Sequence, residues 1–77
     1  MTQLPIVDAK TMERLLFAMG FEAVRQKGSH VFYRRANGCT TTLPHHQGRD
    51  LSRPLLRQIL REIEMTPEAL VDRLSRL

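Results

Sequence analysis

The apolar residues of this chain change period twice, from helical to alternating and back, and that change limits the folds open to it. Met12, Leu15, Leu16 and Met19 stand at i, i+3, i+4 and i+7, one stripe of a helix. Asp8 can accept hydrogen bonds from the free amides at the start of that helix, and Gly20 can end it in a left-handed cap. The pattern predicts a helix from Ala9 to Met19. Ahead of it, residues 1–7, which include Pro5, read as a loose lead-in.

From Phe21 the composition turns to strand formers, over Glu22 to Gln26 and again over Ser29 to Arg35. Lys27-Gly28 divides the two, because glycine takes the positive φ of a tight turn without a steric cost. Ala36-Asn37-Gly38 marks a second hairpin loop, and a third strand, Cys39 to Leu43, ends at Pro44, which has no N–H for a ladder. "PHHQGRDL" reads as loop. Ser52 then caps a second helix with Leu55, Leu56, Ile59, Leu60 and Ile63 at helical spacing, and Thr66-Pro67-Glu68 opens a third with Leu70, Leu74 and Leu77. The order α-β-β-β-α with a short C-terminal helix predicts one α+β domain over residues 1–77. Its three-stranded antiparallel sheet is covered by helices on one face. The double-stranded-RNA-binding domain has this order, but a fold of this kind hosts many activities.

A chain of 77 residues buries only roughly 60% of the surface it exposes when unfolded, which argues against a large enclosed cavity. With 42% hydrophobic and 26% charged residues it has the balance of a folded, soluble domain. No apolar run approaches the ~20 residues of a membrane span. The start "MTQLPIVDAK" lacks the pattern of a secretory signal, so the cytoplasm is the expected compartment. Cys39 is the single cysteine; it excludes an intrachain disulfide and a cysteine-built zinc site, and reads as a strand thiol.

The charge is unevenly spread. From Arg25 to Arg61 eight basic residues face one acid, Asp50, for +7, while the two ends together carry −3. Such a middle suits a polyanion binder, or a solvated basic surface with no partner. Arg53, Arg57 and Arg61 recur every four residues beside the apolar face of the second helix, a ridge able to grip a nucleic-acid backbone or an acidic protein.

His30 stands just after the first turn, at the start of the middle strand. Alternation puts His30, Phe32 and Arg34 on one face and Val31, Tyr33 and Arg35 on the other; since each set contains an aromatic, periodicity leaves open which is buried. The strand's first position next to a glycine turn favours solvent access for His30. A histidine in water titrates near pH 6.5, so it can take and give a proton, and Lys27, Arg34 and Arg35 flank it in sequence. That grouping suits cleavage of RNA by its own 2′-hydroxyl with no metal, although on the residues alone a structural or surface histidine is the stronger reading. His45 and His46 follow Pro44, without a metal-ligand spacing and with only Asp50 as a nearby acid. His46 could transfer a second proton or contact phosphate. No glycine-rich phosphate loop and no serine-histidine-acid order appears, and no metal or cofactor is expected.

Taken together, "MGFEAVRQKGSHVFYRR", an Asn-Gly turn, "TTLPHHQGRDLSRPLLRQILREI" and "MTPEALVDRL" resemble the HicA (YcfA-like) mRNA interferase toxins of toxin–antitoxin modules. The likeness runs from about Ala9 to Leu74. It rests on Gly20-Phe21, on Arg25 to His30, on Pro44 to His46 with Leu51, and on the leucine and isoleucine pattern from Leu56 to Leu60. It implies a double-stranded-RNA-binding-like fold and a metal-independent endoribonuclease that cleaves mRNA. It also implies neutralisation by a HicB-type antitoxin. By the same resemblance His30 is the catalytic histidine, in a turn shaped by Lys27, Gly28 and Ser29, and His46 matches a second histidine. Arg25, Lys27, Gly28, Ser29, Arg34, Arg35 and His46 are the expected RNA contacts, and Arg53, Arg57 and Arg61 the expected antitoxin contacts. Two other readings use the same scaffold: a noncatalytic RNA-binding module, and a subunit whose ridge only seats an acidic partner.

Overall fold

Asp8 caps the first helix, α1 (Ala9–Ala18), its carboxylate accepting from the Thr11 amide at 2.8 Å. The Thr11 side chain, aided by this backbone amide, holds the Asp8 carboxyl below its ordinary value. The computed structural model to which this helix belongs describes residues 3–77. At its far end Met19 is the cap and Gly20 takes φ +95°. The Phe21 amide returns to the Leu16 carbonyl at 2.9 Å and the Gly20 amide to Phe17 at 3.1 Å, the paired closure that a left-handed residue after the cap allows. Phe21 is thereby turned into the core.

Three strands follow as an antiparallel meander, β1 (Glu22–Lys27), β2 (His30–Arg34) and β3 (Thr40–Pro44), with β2 central. The β1–β2 loop has two residues, Gly28 and Ser29, since Lys27 pairs with His30; Gly28 has φ +59°, the left-handed value required at the first loop position of a type II′ hairpin. Between β2 and β3 the Gly38 amide closes on the Arg35 carbonyl at 2.9 Å and Gly38 has φ +96°, a type I turn followed by a left-handed residue. The third strand is shifted by one residue from the expected Cys39–Leu43. Pro44 pairs with His30 as its last member, tolerated because β3 is an edge strand whose free side needs no donor.

Helices α2 (Arg53–Glu62) and α3 (Pro67–Leu74) complete the expected order, capped by Ser52 and Thr66. Val31, Tyr33, Thr41 and Leu43 face the helices and are buried with Met12, Leu15, Leu16, Leu56, Ile59, Leu60 and Leu70. Thr41 ties the layers together by donating its hydroxyl proton to the Glu62 carboxylate at 2.8 Å. The face of β2 that periodicity left undecided is thus settled: Val31 and Tyr33 point inward, His30 and Phe32 outward, onto a side that no helix covers. None of the helices is long and apolar enough to cross a membrane, among the described residues.

The lead-in departs from expectation. Residues 1 and 2 lie outside the described residues, but Leu4 and Val7 are core members at 7% and 3% exposure. The Val7 carbonyl accepts from the Leu51 amide at 2.8 Å, and Asp8 bridges to Asp50. Residues 3–7 are therefore docked rather than loose, because two apolar residues three apart found both a hydrophobic seat and a backbone partner.

A second cap shows a local misfit. After α2 the Met65 amide returns to Leu60 at 2.9 Å and the residue between, Glu64, has φ +57°, the closure of α1 repeated without a glycine. A left-handed non-glycine residue costs roughly 1–2 kcal/mol, partly offset by the larger unfolded-state freedom of glycine. Glu64→Gly is expected to raise stability by about 0.5–1 kcal/mol, read as an upward shift of a few degrees in thermal melting.

Candidate functional site

The Gly28-Ser29 hairpin presents His30 at the first position of the central strand, and the same turn anchors the loop after β3. The Ser29 carbonyl accepts from the His45 amide at 2.6 Å, extending the β3 pairing one step past Pro44. With the backbone so pinned, the next residue, His46, comes opposite His30: the two rings lie 6.5 Å apart between centroids, edge to face at 85°. Both are exposed. Two histidines sixteen positions apart in sequence therefore share one open surface.

Cross-strand pairing sets what surrounds them. Lys27 stands opposite His30, and one row further Arg25 stands opposite Phe32, with Thr42 on the other side. The Arg25 guanidinium lies 5.1 Å from the Phe32 ring centre, a cation over an aromatic face. Arg25, Lys27, His30, Phe32 and Thr42 line a shallow cleft of about 380 Å³. Arg34 shares the face, but four residues along a strand put it roughly 13 Å from His30. Beyond Ala23 the β1 ladder skips Val24, a bulge that sets Glu22 opposite Arg34.

Arg35, which flanks His30 in sequence and was an expected RNA contact, lies away from it. Alternation turns it to the other side, where its guanidinium lies 6.0 Å from the ring of Phe21. The cations near His30 are Lys27 and Arg25. Arg53, Arg57 and Arg61 are all exposed on the solvent side of α2, a surface separate from the outer face of the sheet.

His45 turns inward. Tyr33 is fully buried and donates its hydroxyl proton to the Glu13 carboxylate, while His45 Nε2 lies 2.8 Å from the same phenol oxygen and 3.6 Å from Glu13. Since the phenol has one proton and gives it to Glu13, His45 Nε2 carries the hydrogen of the second bond. Burial, then the hydrogen bond and charge of Glu13, push the Tyr33 phenol far up, and it stays neutral. This cluster joins α1, β2 and the loop after β3, and so fixes where His46 begins. Beside it, Asp8, Lys10, Glu13, His46 and Arg49 border a second cleft of about 450 Å³. Among the described residues no three His, Cys, Asp or Glu side chains converge as a metal-holding group.

A family model described as the HicA toxin of bacterial toxin–antitoxin matches residues 9–65 of the 77-residue chain. The chain belongs to the HicA toxin family. It is accordingly the toxin half of a toxin–antitoxin module, and its counterpart is an antitoxin. Comparison with curated proteins gives no match. The HicA match runs from the start of α1 through the turn after α2, and includes His30, His46 and the arginine ridge. It leaves out Leu4, Val7 and α3, all of which contribute to or pack against the core of this HicA chain.

Sequence reasoning missed two parts of the site. Glu13 carried no signal, being one polar residue on an amphipathic helix. A buried tyrosine does need a partner for its hydroxyl, but nothing in spacing says which. Phe32 was legible as an aromatic among outward-facing polar residues once the buried face of β2 is known.

Proposed function

We propose that this HicA family member is an endoribonuclease that cleaves mRNA without a metal ion, with His30 as the proton-transferring residue. The observation that carries the reading is the exposed His30–His46 pair at 6.5 Å, set beside Lys27 and Arg25 on a face free of helices. A phosphodiester lying between the imidazoles has the groups it needs. One neutral imidazole removes the proton of the 2′-hydroxyl, the 2′-oxygen attacks phosphorus, and the P–O5′ bond breaks. The leaving oxygen takes its proton from the other imidazole in its protonated form. His30 is assigned the first role and His46 the second. Lys27 and Arg25 neutralise the charge gathering on the non-bridging oxygens, and the Gly28-Ser29 turn keeps the approach to His30 open. Arg34 extends the basic face for the flanking backbone, whereas Arg35, stacked on Phe21, is left out of the contact set. The substrate places the action in the cytoplasm.

The test is induced expression of the wild type beside His30→Ala, with growth followed and mRNA 5′ ends mapped. Growth arrest with new 5′ ends in the wild type, absent in the folded variant, supports the reading. Two proteins equally inert while folded and RNA-bound favour a noncatalytic RNA-binding module.

The antitoxin in this reading is of the HicB type and engages the ridge of Arg53, Arg57 and Arg61. Arg53 is the first residue of α2, where the positive end of the helix dipole disfavours a cation, so its charge serves something other than helix stability. Reversing the three arginines to glutamate is expected to weaken the toxin–antitoxin complex at least tenfold and to leave the melting temperature of the free toxin within a few degrees. Unchanged affinity in a titration of one protein into the other rejects the ridge as the antitoxin contact.

A further inference from the structure

Phe32 is the anomaly of the uncovered sheet face. Its strand neighbours Val31 and Tyr33 are buried in the core, while Phe32, two residues beyond His30, is half-buried on the outer side, with Arg25 above it and Thr42 beside it. The ring lies outside the hydrophobic core and is not packed against it, so part of its face is open to a ligand. The surroundings point to an anion-bearing, flat-faced ligand. Arg25, Lys27 and Arg34 share the face, Glu22 is the acid paired across from Arg34, and the cleft that holds the ring also holds His30. We infer that Phe32 and Arg25 form a base-stacking subsite for single-stranded RNA, seating the nucleobase next to the phosphate at His30.

The chemistry is that of proteins that bind unpaired strands on a sheet. Aromatic rings and guanidinium planes both stack on nucleobases, and neighbouring cations hold the backbone. In the free protein the exposed Arg25 guanidinium occupies the ring face, 5.1 Å from its centre. An incoming base takes that place, and the freed guanidinium caps its other side or pairs with phosphate. Residues two apart on a strand lie roughly 7 Å from each other, so a base on Phe32 and a phosphate at His30 belong to adjacent parts of one strand. A paired duplex does not offer its base faces, and the subsite therefore selects unpaired RNA. The inference rests on the ribonuclease reading only for the role of the seated base; the binding itself stands apart from cleavage.

The experiment measures binding by fluorescence anisotropy with the full chain carrying His30→Ala, so that no cleavage intervenes. Two probes of equal length and charge are used: a labelled single-stranded RNA of mixed sequence, and a ribose-phosphate oligomer that is abasic throughout. Base stacking contributes enough per base that Phe32→Leu is expected to weaken the RNA about tenfold or more and to leave the abasic oligomer unchanged. Phe32→Trp should retain RNA affinity, and Lys27→Ala should weaken both probes. Melting temperatures of the variants confirm that each is folded. Equal affinity of the His30→Ala chain for the two probes overturns the inference, as does a Phe32→Leu variant that binds RNA normally. If that variant instead binds RNA normally and loses the antitoxin, the face serves the protein partner and the inference is again overturned. A protein that shows the stacking pattern but never cleaves RNA leaves the subsite intact and removes the ribonuclease reading.

Discussion

His30→Ala is expected to lower RNA cleavage by about 10²–10⁴-fold, the usual worth of a positioned acid or base, while leaving the fold intact. His30 is exposed on the outer sheet face, so its removal opens no cavity, and surface changes of this kind stay within about 0.5 kcal/mol. His46→Ala is expected to cost a similar factor, and the double variant little more than either single one, because two groups that act in one proton-transfer step are not additive. The pH dependence separates this from a merely structural pair. The base has to be neutral, so the rate falls on the acid side; the partner has to be protonated, so the rate falls on the alkaline side. The wild type should give a bell-shaped profile, and His46→Ala should lose the alkaline limb. A profile that is flat from pH 5 to 9, or single-variant losses that multiply in the double variant, would count against a shared step.

Much of this site was legible before any coordinates, and the reasons differ from residue to residue. The position of His30 follows from glycine chemistry: Gly28 takes φ +59°, the hairpin closes on Lys27 and His30, and strand alternation does the rest. The elements were legible because each is punctuated, by Asp8, Gly20, Gly38, Ser52 and Thr66, with residues whose backbone or side-chain chemistry has few other uses. What could not be read was anything decided between elements. Whether Phe32 or Tyr33 faces the core depends on which aromatic α1 and α2 can bury, and both are strand formers. Alternation put Arg35 on the face away from His30, but its seat against Phe21, a residue beyond the end of α1, was not legible. The meeting of His30 with His46 depends on the bond from the His45 amide to the Ser29 carbonyl and on the seat of His45 beside Tyr33 and Glu13, neither of which a residue type announces.

The N-terminal segment was underestimated for a related reason, and its expected effect is the largest on stability. Leu4→Ala combined with Val7→Ala should destabilise the protein by about 3–6 kcal/mol, from roughly 1.5–3 kcal/mol for each side chain buried. Both are nearly solvent-free, and Val7 is anchored by the bond from Leu51, so the segment cannot simply collapse onto the gap. Marginal stability in proteins is about 5–15 kcal/mol, and a domain of this size stands at the low end, so the double variant should be substantially unfolded at 37 °C. Thermal or urea denaturation checks it, with Ile6→Ala, at 75% exposure, as the matched control that should change stability by less than about 0.5 kcal/mol. A double variant as stable as that control means that residues 3–7 only rest on the domain. A loss of the expected size makes them part of the domain, and the docked segment then does more than lengthen the core. It bonds to Leu51, at the far end of the His45–Asp50 loop, as Ser29 bonds to its beginning, so both ends of the segment that carries His46 are held by the fold.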